Sequence, residues 1–300
     1  MNIAAADLSQ APAPSAILIY GGTAMCLDAK RSVWRHCEIL VQRGVVASVG
    51  RSLTLTPGTQ LLDVTGLLVI PGLVDAEARL STAPLGDERA LGAYHDAETA
   101  AAVARVGALE ALAAGVTTIA DGAFPGVDET ALQAIESAAS SVGLRRYPAP
   151  AADDVSPPQD GSEVSPPQDG SEESLDAEAR GGRGVGESLG LAGLTSVADL
   201  LDATVGAADR LGRAAEVGSL VVGKWADLIA VEVPGVDLEG LDDDGLHRAV
   251  ASGRGRIRHA LIAGTPAVTD GRPVHAEVDP ARQAFDLAVE TLRRRRDAAS

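Results

Sequence analysis

Three side chains that could do chemistry lie at alternate positions of one short run: Asp75, Glu77 and Arg79, between Leu73 and Leu80. Side chains alternate across a strand, so these three share one face. Val74, Ala76, Ala78 and Leu80 share the other, which suits packing under helices. A carboxylate can ligate a hard cation or carry a proton. A guanidinium stays protonated and offers only donors, so Arg79 would set a fixed cation where a metal would have to bind. Three arrangements are open. Arg79 pairs with Glu77 or with Asp75, the two ends stand in solvent, or a metal site survives around Glu77.

The remaining reactive types are scattered. The five histidines, His36, His95, His247, His259 and His275, form no H-x-H or H-E-x-x-H spacing, so each reads as structural or surface. There is no G-x-S-x-G and no phosphate-binding Walker loop. Cys37 follows His36, but neighbours on a strand point to opposite faces. Cys26 and Cys37 read as small buried hydrophobes. The glycine-rich stretch 181–186 has no strand ahead of it and is not expected to cradle a phosphate. Four arginines at 293–296 end a helix, where cations oppose the dipole. They read as a solvated end, with an anionic partner as the alternative.

Elements to position these residues can be drawn from the pattern. Short apolar strands separated by turn residues are predicted at 17–20, 36–42, 45–49, 60–64 and 67–70, as in half of a β-sandwich. A helix over 97–114 has Asp96 as its N-cap, a stripe of Val103, Val106, Leu109 and Leu112, and Gly115 as its stop. A buried strand at 116–120, a helix at 129–139 and a strand starting at 144 follow. Val197, Leu200, Leu201, Thr204, Val205, Ala208 and Leu211 mark an amphipathic helix capped by Ser196 with Asp199. A hairpin spans 218–233, and the acidic run Asp242, Asp243, Asp244 marks a loop. Strands at 257–262 and 266–268 precede a last helix opened by Asp279 and Pro280, with Phe285, Ala288, Val289 and Leu292 as its buried stripe.

Several of these runs carry a resemblance. Asp63, Gly66, Pro71, Gly72 and Asp75 reproduce the spacing D-x-x-G-x-x-x-x-P-G-x-x-D that opens the first barrel strand of the amidohydrolase superfamily. The run 114–121 resembles that family's second strand. G-S-L-V-V-G-K-W-A-D-L at 218–228 is close to its G-S-L-x-x-G-K-x-A-D-L hairpin, in which Lys224 and Asp227 look architectural. The run 261–271 resembles its closing strand and turn. The matches cover about two thirds of the chain, in the family's order, and resemble most the metal-dependent deaminase and chlorohydrolase branch. The resemblance implies a β-sandwich split in sequence, a (β/α) barrel of the TIM type, and hydrolysis of non-peptide carbon–nitrogen bonds with a divalent metal such as zinc or iron. In the family, Ala-His-x-His follows the aspartate and its two histidines hold the metal. Here those positions are Glu77 and Arg79, and no segment corresponds to the later strands that supply the remaining ligands. A whole barrel takes about 250 residues.

Composition narrows the rest. The chain has 300 residues, a net charge of −17, 46% hydrophobic but 2% aromatic residues, and two cysteines, so it is no disulfide scaffold. Residues 153–190 hold ten acids against two basic residues, and 155–163 repeats in tandem as 164–172, V-S-P-P-Q-D-G-S-E. Paired prolines, charge and glycine cannot bury a core, so a disordered acidic linker is expected over 150–189, with a docking peptide as the alternative. Residues 1–15 are likewise expected to be disordered. The acidity argues against nucleic-acid binding, and no run reaches the roughly 18 apolar residues that span a bilayer. Without basic residues ahead of an apolar core at the start, a cytoplasmic protein is expected.

The expected fold class is α/β plus β: a discontinuous β-sandwich, 16–65 with 214–278; a partial, degenerate TIM barrel, 66–149 with 190–213; and a C-terminal helix, 279–300. The expected function is an amidohydrolase-like protein, catalytically impaired or inactive, with no metal cofactor and no identifiable catalytic residue. The alternative is a non-catalytic assembly protein that pairs with itself or with an intact amidohydrolase. No nucleic-acid or membrane partner is expected.

Overall fold

Seven strands come first: β1 (Ala16–Tyr20), β2 (Thr23–Met25), β3 (Val33–Trp34), β4 (Glu38–Gln42), β5 (Val45–Gly50), β6 (Gln60–Asp63) and β7 (Leu68–Pro71). They belong to a computed structural model that describes residues 16–121, 128–148 and 190–299. The expectations for 1–15, for 150–189 with its tandem repeat, and for the glycines of 181–186 lie outside the described residues. β8 (Leu73–Ala78), a 3₁₀ stretch (Ala83–Tyr94), α1 (Ala97–Ala113), β9 (Val116–Asp121), α2 (Glu129–Val142) and β10 (Arg145–Pro148) follow. After them come α3 (Val197–Leu201), a π-helical turn (Asp202–Gly206), α4 (Ala207–Arg210), β11 (Leu228–Glu232), α5 (Asp243–Val250), β12 (Arg256–Ile262), β13 (Thr265–Thr269), β14 (Arg272–Pro273) and α6 (Val278–Ala299).

Two mixed sheets face each other. One has the order β5-β4-β1-β6 and the other β14-β13-β12-β11-β7-β2-β3. Between them pack Ile17, Ile19, Ile39, Val41, Val69, Leu228, Ala230 and Leu261, with Cys26 and Cys37. Burial pushes both thiols up, to about 12 and about 11, so they remain protonated and behave as small apolar groups. The larger sheet is covered on its other face as well. Leu68, Ile70, Ile229, Val231, Ala260 and Ile262 join Ala104, Leu112, Ile135 and Ala138 of α1 and α2 in the main core. A sheet buried on both faces needs strands that read as continuous apolar runs, which is what Leu-Val-Ile and Leu-Ile-Ala-Val supply in β7 and β11.

The third sheet is small and parallel, in the order β10-β9-β8, with α1 and α2 as its connections. Both helices start as the sequence predicts. The Asp96 side chain accepts from Thr99 N while the Thr99 hydroxyl oxygen accepts from Asp96 N, a reciprocal cap. Asp128 accepts from Ala131 N at 2.8 Å, and Gly143 ends α2 in the left-handed conformation. α6 lies across α1 and the 3₁₀ stretch, burying Ala288 and Leu292 against Leu85, Leu91 and Val103. It begins at Val278, so Asp279 and Pro280 sit inside its first turn, where a missing N–H costs no hydrogen bond.

Four local expectations are corrected. The acidic run at 242–244 is not a loop: Asp242 caps α5 by accepting from Gly245 N, and Asp243 and Asp244 stabilise its positive N-terminal end. The predicted helix at 196–211 forms over 197–210, but its stripe is shifted: the middle turn widens to a π-turn, so Ala203 and Ala207 are buried beside Leu200, Thr204 and Ala208, while Val205 is only half-buried. Residues 218–227 are not a hairpin arm but a series of turns bonded between strands: Leu220 N to Cys26 O, Gly223 N to Val46 O and Ala226 N to Gly44 O. His36 is not in a strand; it sits exposed in the β3–β4 turn at φ 48°.

Candidate functional site

The parallel sheet fixes where each residue of the Asp75–Arg79 run can point. Side-by-side partners in a parallel ladder face the same way. Val74, Thr118 and Arg145 form one row, and Asp75, Ile119 and Arg146 form the next, on the opposite face. The first row meets α4 and the turns after it, where Val74 packs on Ala207, Ala208 and Val217. The second row faces α2, since its end member Arg146 pairs with Glu136 of that helix. The register then shifts between Asp75 and Ala78. This irregularity breaks the simple alternation, so Val74 and Ala76 pack with α4 while Ala78 and Leu80 join the core that contains α1.

The run therefore splits. Asp75 is 2% exposed, whereas Glu77 and Arg79 are exposed. Arg79 makes no ion pair among the described residues, so the expected pairing with Glu77 or Asp75 does not form; the solvated arrangement holds. The physical reason is the shift in β8: it sends Asp75 into the layer beside α2 and the next two charged groups outward.

Asp75 has a neighbour that sequence reasoning missed. Asp121, at the end of β9, is 7% exposed and accepts from Leu80 N at 3.2 Å. Its other oxygen lies 4.0 Å from Arg146 Nε, an atom that is buried with no hydrogen-bond partner. Burial raises the Asp75 carboxyl to about 6, helped by the Glu77 charge and opposed by a bond from Glu77 N. Burial likewise raises Asp121 to about 6, opposed by the Leu80 bond and the Arg146 charge and aided by Asp75 and Glu136. Two carboxyls whose ionisation is disfavoured by burial thus share the ends of β8 and β9. The one sequence signal for Asp121 was its place at the end of a buried strand.

These donors do not fit a divalent metal. Among the described residues no three His, Cys, Asp or Glu side chains converge, and Arg79 brings a fixed cation to the strand end. The histidines lie elsewhere. His95 bonds Ser81 O at 2.8 Å and Thr99 Oγ1 at 3.3 Å, closing the turn before α1. His247 is buried in α5, and His259 is buried in β12. Of the terminal arginines, Arg293 pairs with Glu88 and Arg295 with Asp96 and Tyr94 O. The run at 293–296 is thus partly a clamp on the 3₁₀ stretch and α1 rather than a solvated end alone.

Lys224 and Asp227 hold architecture. Lys224 Nζ donates to Ala214 O, to Val217 O at 3.3 Å and to Ser219 Oγ at 2.7 Å. Asp227, 4% exposed, accepts from Arg145 Nε at 2.5 Å and Nη2 at 2.9 Å, from Thr118 Oγ1 at 3.3 Å and from Ala263 N at 2.6 Å. Its carbonyl accepts from Gly72 N. Arg145 also lies 4.7 Å over the Trp225 ring. One carboxylate ties the parallel sheet to the larger mixed sheet.

Parallel strands joined by helices, a first strand ending in Asp-x-Glu-x-Arg, and a buried aspartate locking them to facing sheets can be set beside known proteins. Solved structures match nearly the whole chain. A triazine hydrolase from Arthrobacter aurescens superposes with a TM-score of 0.69 at 16% identity, covering 92% of this chain and 99% of the other. The atrazine chlorohydrolase of Arthrobacter aurescens TC1, complexed with zinc, gives 0.69 at 17%, with 91% and 100% covered. An adenosine deaminase from Xanthomonas campestris with bound zinc gives 0.65 at 13%, with 94% and 100% covered. The chain thus shares the fold of these proteins. Sequence likeness is more local. A dihydroorotase from Geobacter metallireducens is 34% identical over 64 residues, 21% of this chain and 15% of that protein. One from Streptococcus pneumoniae is 33% identical over 103 residues, 34% of this chain and 21% of that protein. The match thus spans about a fifth or less of the curated relatives' length. No family model matches the chain. No helix among its described residues is long and apolar enough to cross a membrane.

Proposed function

We propose that this chain is an amidohydrolase scaffold whose parental reaction, hydrolysis of a non-peptide carbon–nitrogen bond of the kind met in heterocycle deamination, is impaired or lost. In this reading the strands of 16–65 and 214–278 form a composite β-sandwich. β8, β9 and β10 with their helices are the remnant of a TIM-type barrel. The observation that carries it is the end of β8. Glu77 and Arg79 stand exposed where the family places two ligating imidazoles, and the guanidinium cannot give up its proton to accept a metal. The buried pair Asp75 and Asp121 beside it accepts from Glu77 N and Leu80 N respectively, and leaves no open coordination position.

Metal content per chain, measured on protein purified without chelator or added metal, tests this together with an assay for hydrolysis of heterocyclic amines. Near-zero zinc, iron, manganese and nickel with no turnover supports it. About one metal per chain, with turnover that Glu77→Gln abolishes, would overturn it.

A second reading, a non-catalytic assembly protein, is favoured by the sheet order. β10 ends the parallel sheet with no strand beside it among the described residues. Such an edge can pair with another chain, a second copy or an intact amidohydrolase. A monomer by light scattering at all concentrations would count against self-association.

A further inference from the structure

A cavity of about 250 Å³ opens where three turns carry the chain from one facing sheet to the other. Its walls include the β1–β2 turn at Gly21 and Gly22, the β3–β4 turn at Arg35 and His36, and the β6–β7 turn at Gly66 and Leu67. The walls approach so closely that a Cβ at Gly22 would lie 2.7 Å from Val64 O and 2.8 Å from Leu67 O. The cavity stands apart from the end of β8, since the chain leaves its wall at Leu67 and runs the length of β7 and β8 before reaching Glu77.

The charge of this cavity is opposite to that of the chain. The protein carries −17 overall, yet the ionisable groups lining the cavity are Arg35, His36 and Arg51 against one acid, Glu239. Arg35 fixes a wall: it donates to Leu238 O at 3.0 Å and Leu241 O at 2.5 Å and lies 3.4 Å from Asp243. Arg51 is tethered only through Nε, which donates to Arg35 O at 3.1 Å. Its two terminal nitrogens make no hydrogen bond among the described residues, so a planar pair of donors is held beside the cavity without an acceptor. His36 sits exposed in the same turn as Arg35, in the left-handed region at φ 48°. Its Nε2 lies 3.7 Å from the exposed Glu239.

We propose that this cavity binds a small organic oxyanion, a carboxylate or phosphate head held by Arg51 and His36 against the wall that Arg35 builds. The site is independent of the proposed loss of hydrolysis. Forked guanidinium donors match either head geometrically, and a small cavity admits only a short ligand. Glu239 is the opposing charge at this site, so binding works against it.

Titration calorimetry on the full chain tests this, with inorganic phosphate and succinate as probes and sodium chloride at matched ionic strength as control. Saturable heat with one probe and none with chloride is expected. Phosphate binding the tighter points to a phosphate-ester head, and succinate the tighter points to a carboxylate. Arg51→Gln, an exposed change, should weaken the favoured probe about tenfold, as loss of a charge-assisted bond implies. Glu239→Gln should tighten it. No saturable heat with either probe, or equal affinity in the parent and Arg51→Gln with circular dichroism unchanged, would overturn the proposal.

Discussion

The two rows of the parallel sheet are treated in opposite ways. On one, Arg145 and Thr118 meet Asp227, whose carboxylate collects two guanidinium bonds, a hydroxyl and a main-chain N–H. On the other, Asp75 and Asp121 are buried as deeply with one main-chain bond each, and Arg146 leaves a buried nitrogen unpartnered. The same burial thus encloses a fully bonded carboxylate on one face and disfavours the ionisation of two acids on the other. The well-satisfied row joins the sheets. The poorly satisfied one lies at the strand ends, where a reaction would be placed. Buried polar groups left short of partners mark places where stability was not the selecting demand.

The largest effect should come from breaking the satisfied row. Asp227→Ala strands Arg145 without its counter-ion and is expected to cost about 3–5 kcal/mol in urea unfolding. A loss under about 1 kcal/mol would mean that stacking on Trp225 carries Arg145 instead. The unsatisfied row should respond with the opposite sign. The Asp121 carboxyl titrates near 6 when folded and near 4 when unfolded, so the folded chain holds the proton more tightly. Its contribution to stability therefore falls as pH rises from about 4 to about 6 and is level above that. Asp121→Asn removes the buried charge and should gain roughly 1–3 kcal/mol at pH 7.5, shrinking towards zero below about pH 4. A variant less stable than the parent at pH 7.5 would show that the Arg146 contact outweighs burial.

Smaller effects lie away from both rows. Asp96→Ala removes the cap of α1 and the partner of Arg295, and a loss of about 1 kcal/mol is expected. Asp96→Asn should keep most of that, since the cap survives while the ion pair is lost. Arg293→Gln breaks only the exposed pair with Glu88 and should leave the urea midpoint where it was.

How far the sequence could be followed depends on how local each signal is. Asp96, Asp128 and Gly143 act within a turn of their own position, and both helices they bound were legible to within three residues. Three consecutive aspartates have the composition of a loop and so hide α5, although Asp242 as a cap with Leu246, Ala249 and Val250 behind it is a helix signal. The π-turn at 202–206 shifts which alanines are buried, and periodicity alone assumes a constant step. The charge pattern of Asp75, Glu77 and Arg79 was visible, but not the register shift that separates them, because a bulge is set by the partner strand. Asp227 was readable as architectural through its resemblance; that it reaches Arg145, far away in sequence, was not.

The pairing of β7 with β11 bears on how the chain reaches this state. These neighbours in the larger sheet are separated by the whole of the parallel sheet and its helices, and β7 has only short β2 on its other side. During synthesis the inner strand of that sheet waits, with one edge bare, until residue 228 and beyond have left the ribosome. Closing so long a loop before its contacts return anything slows folding and prolongs the interval in which the Leu-Val-Ile edge of β7 can pair wrongly. Refolding from urea should accordingly be slow and lose yield as concentration rises, and a chaperone that shields bare strand edges should restore it.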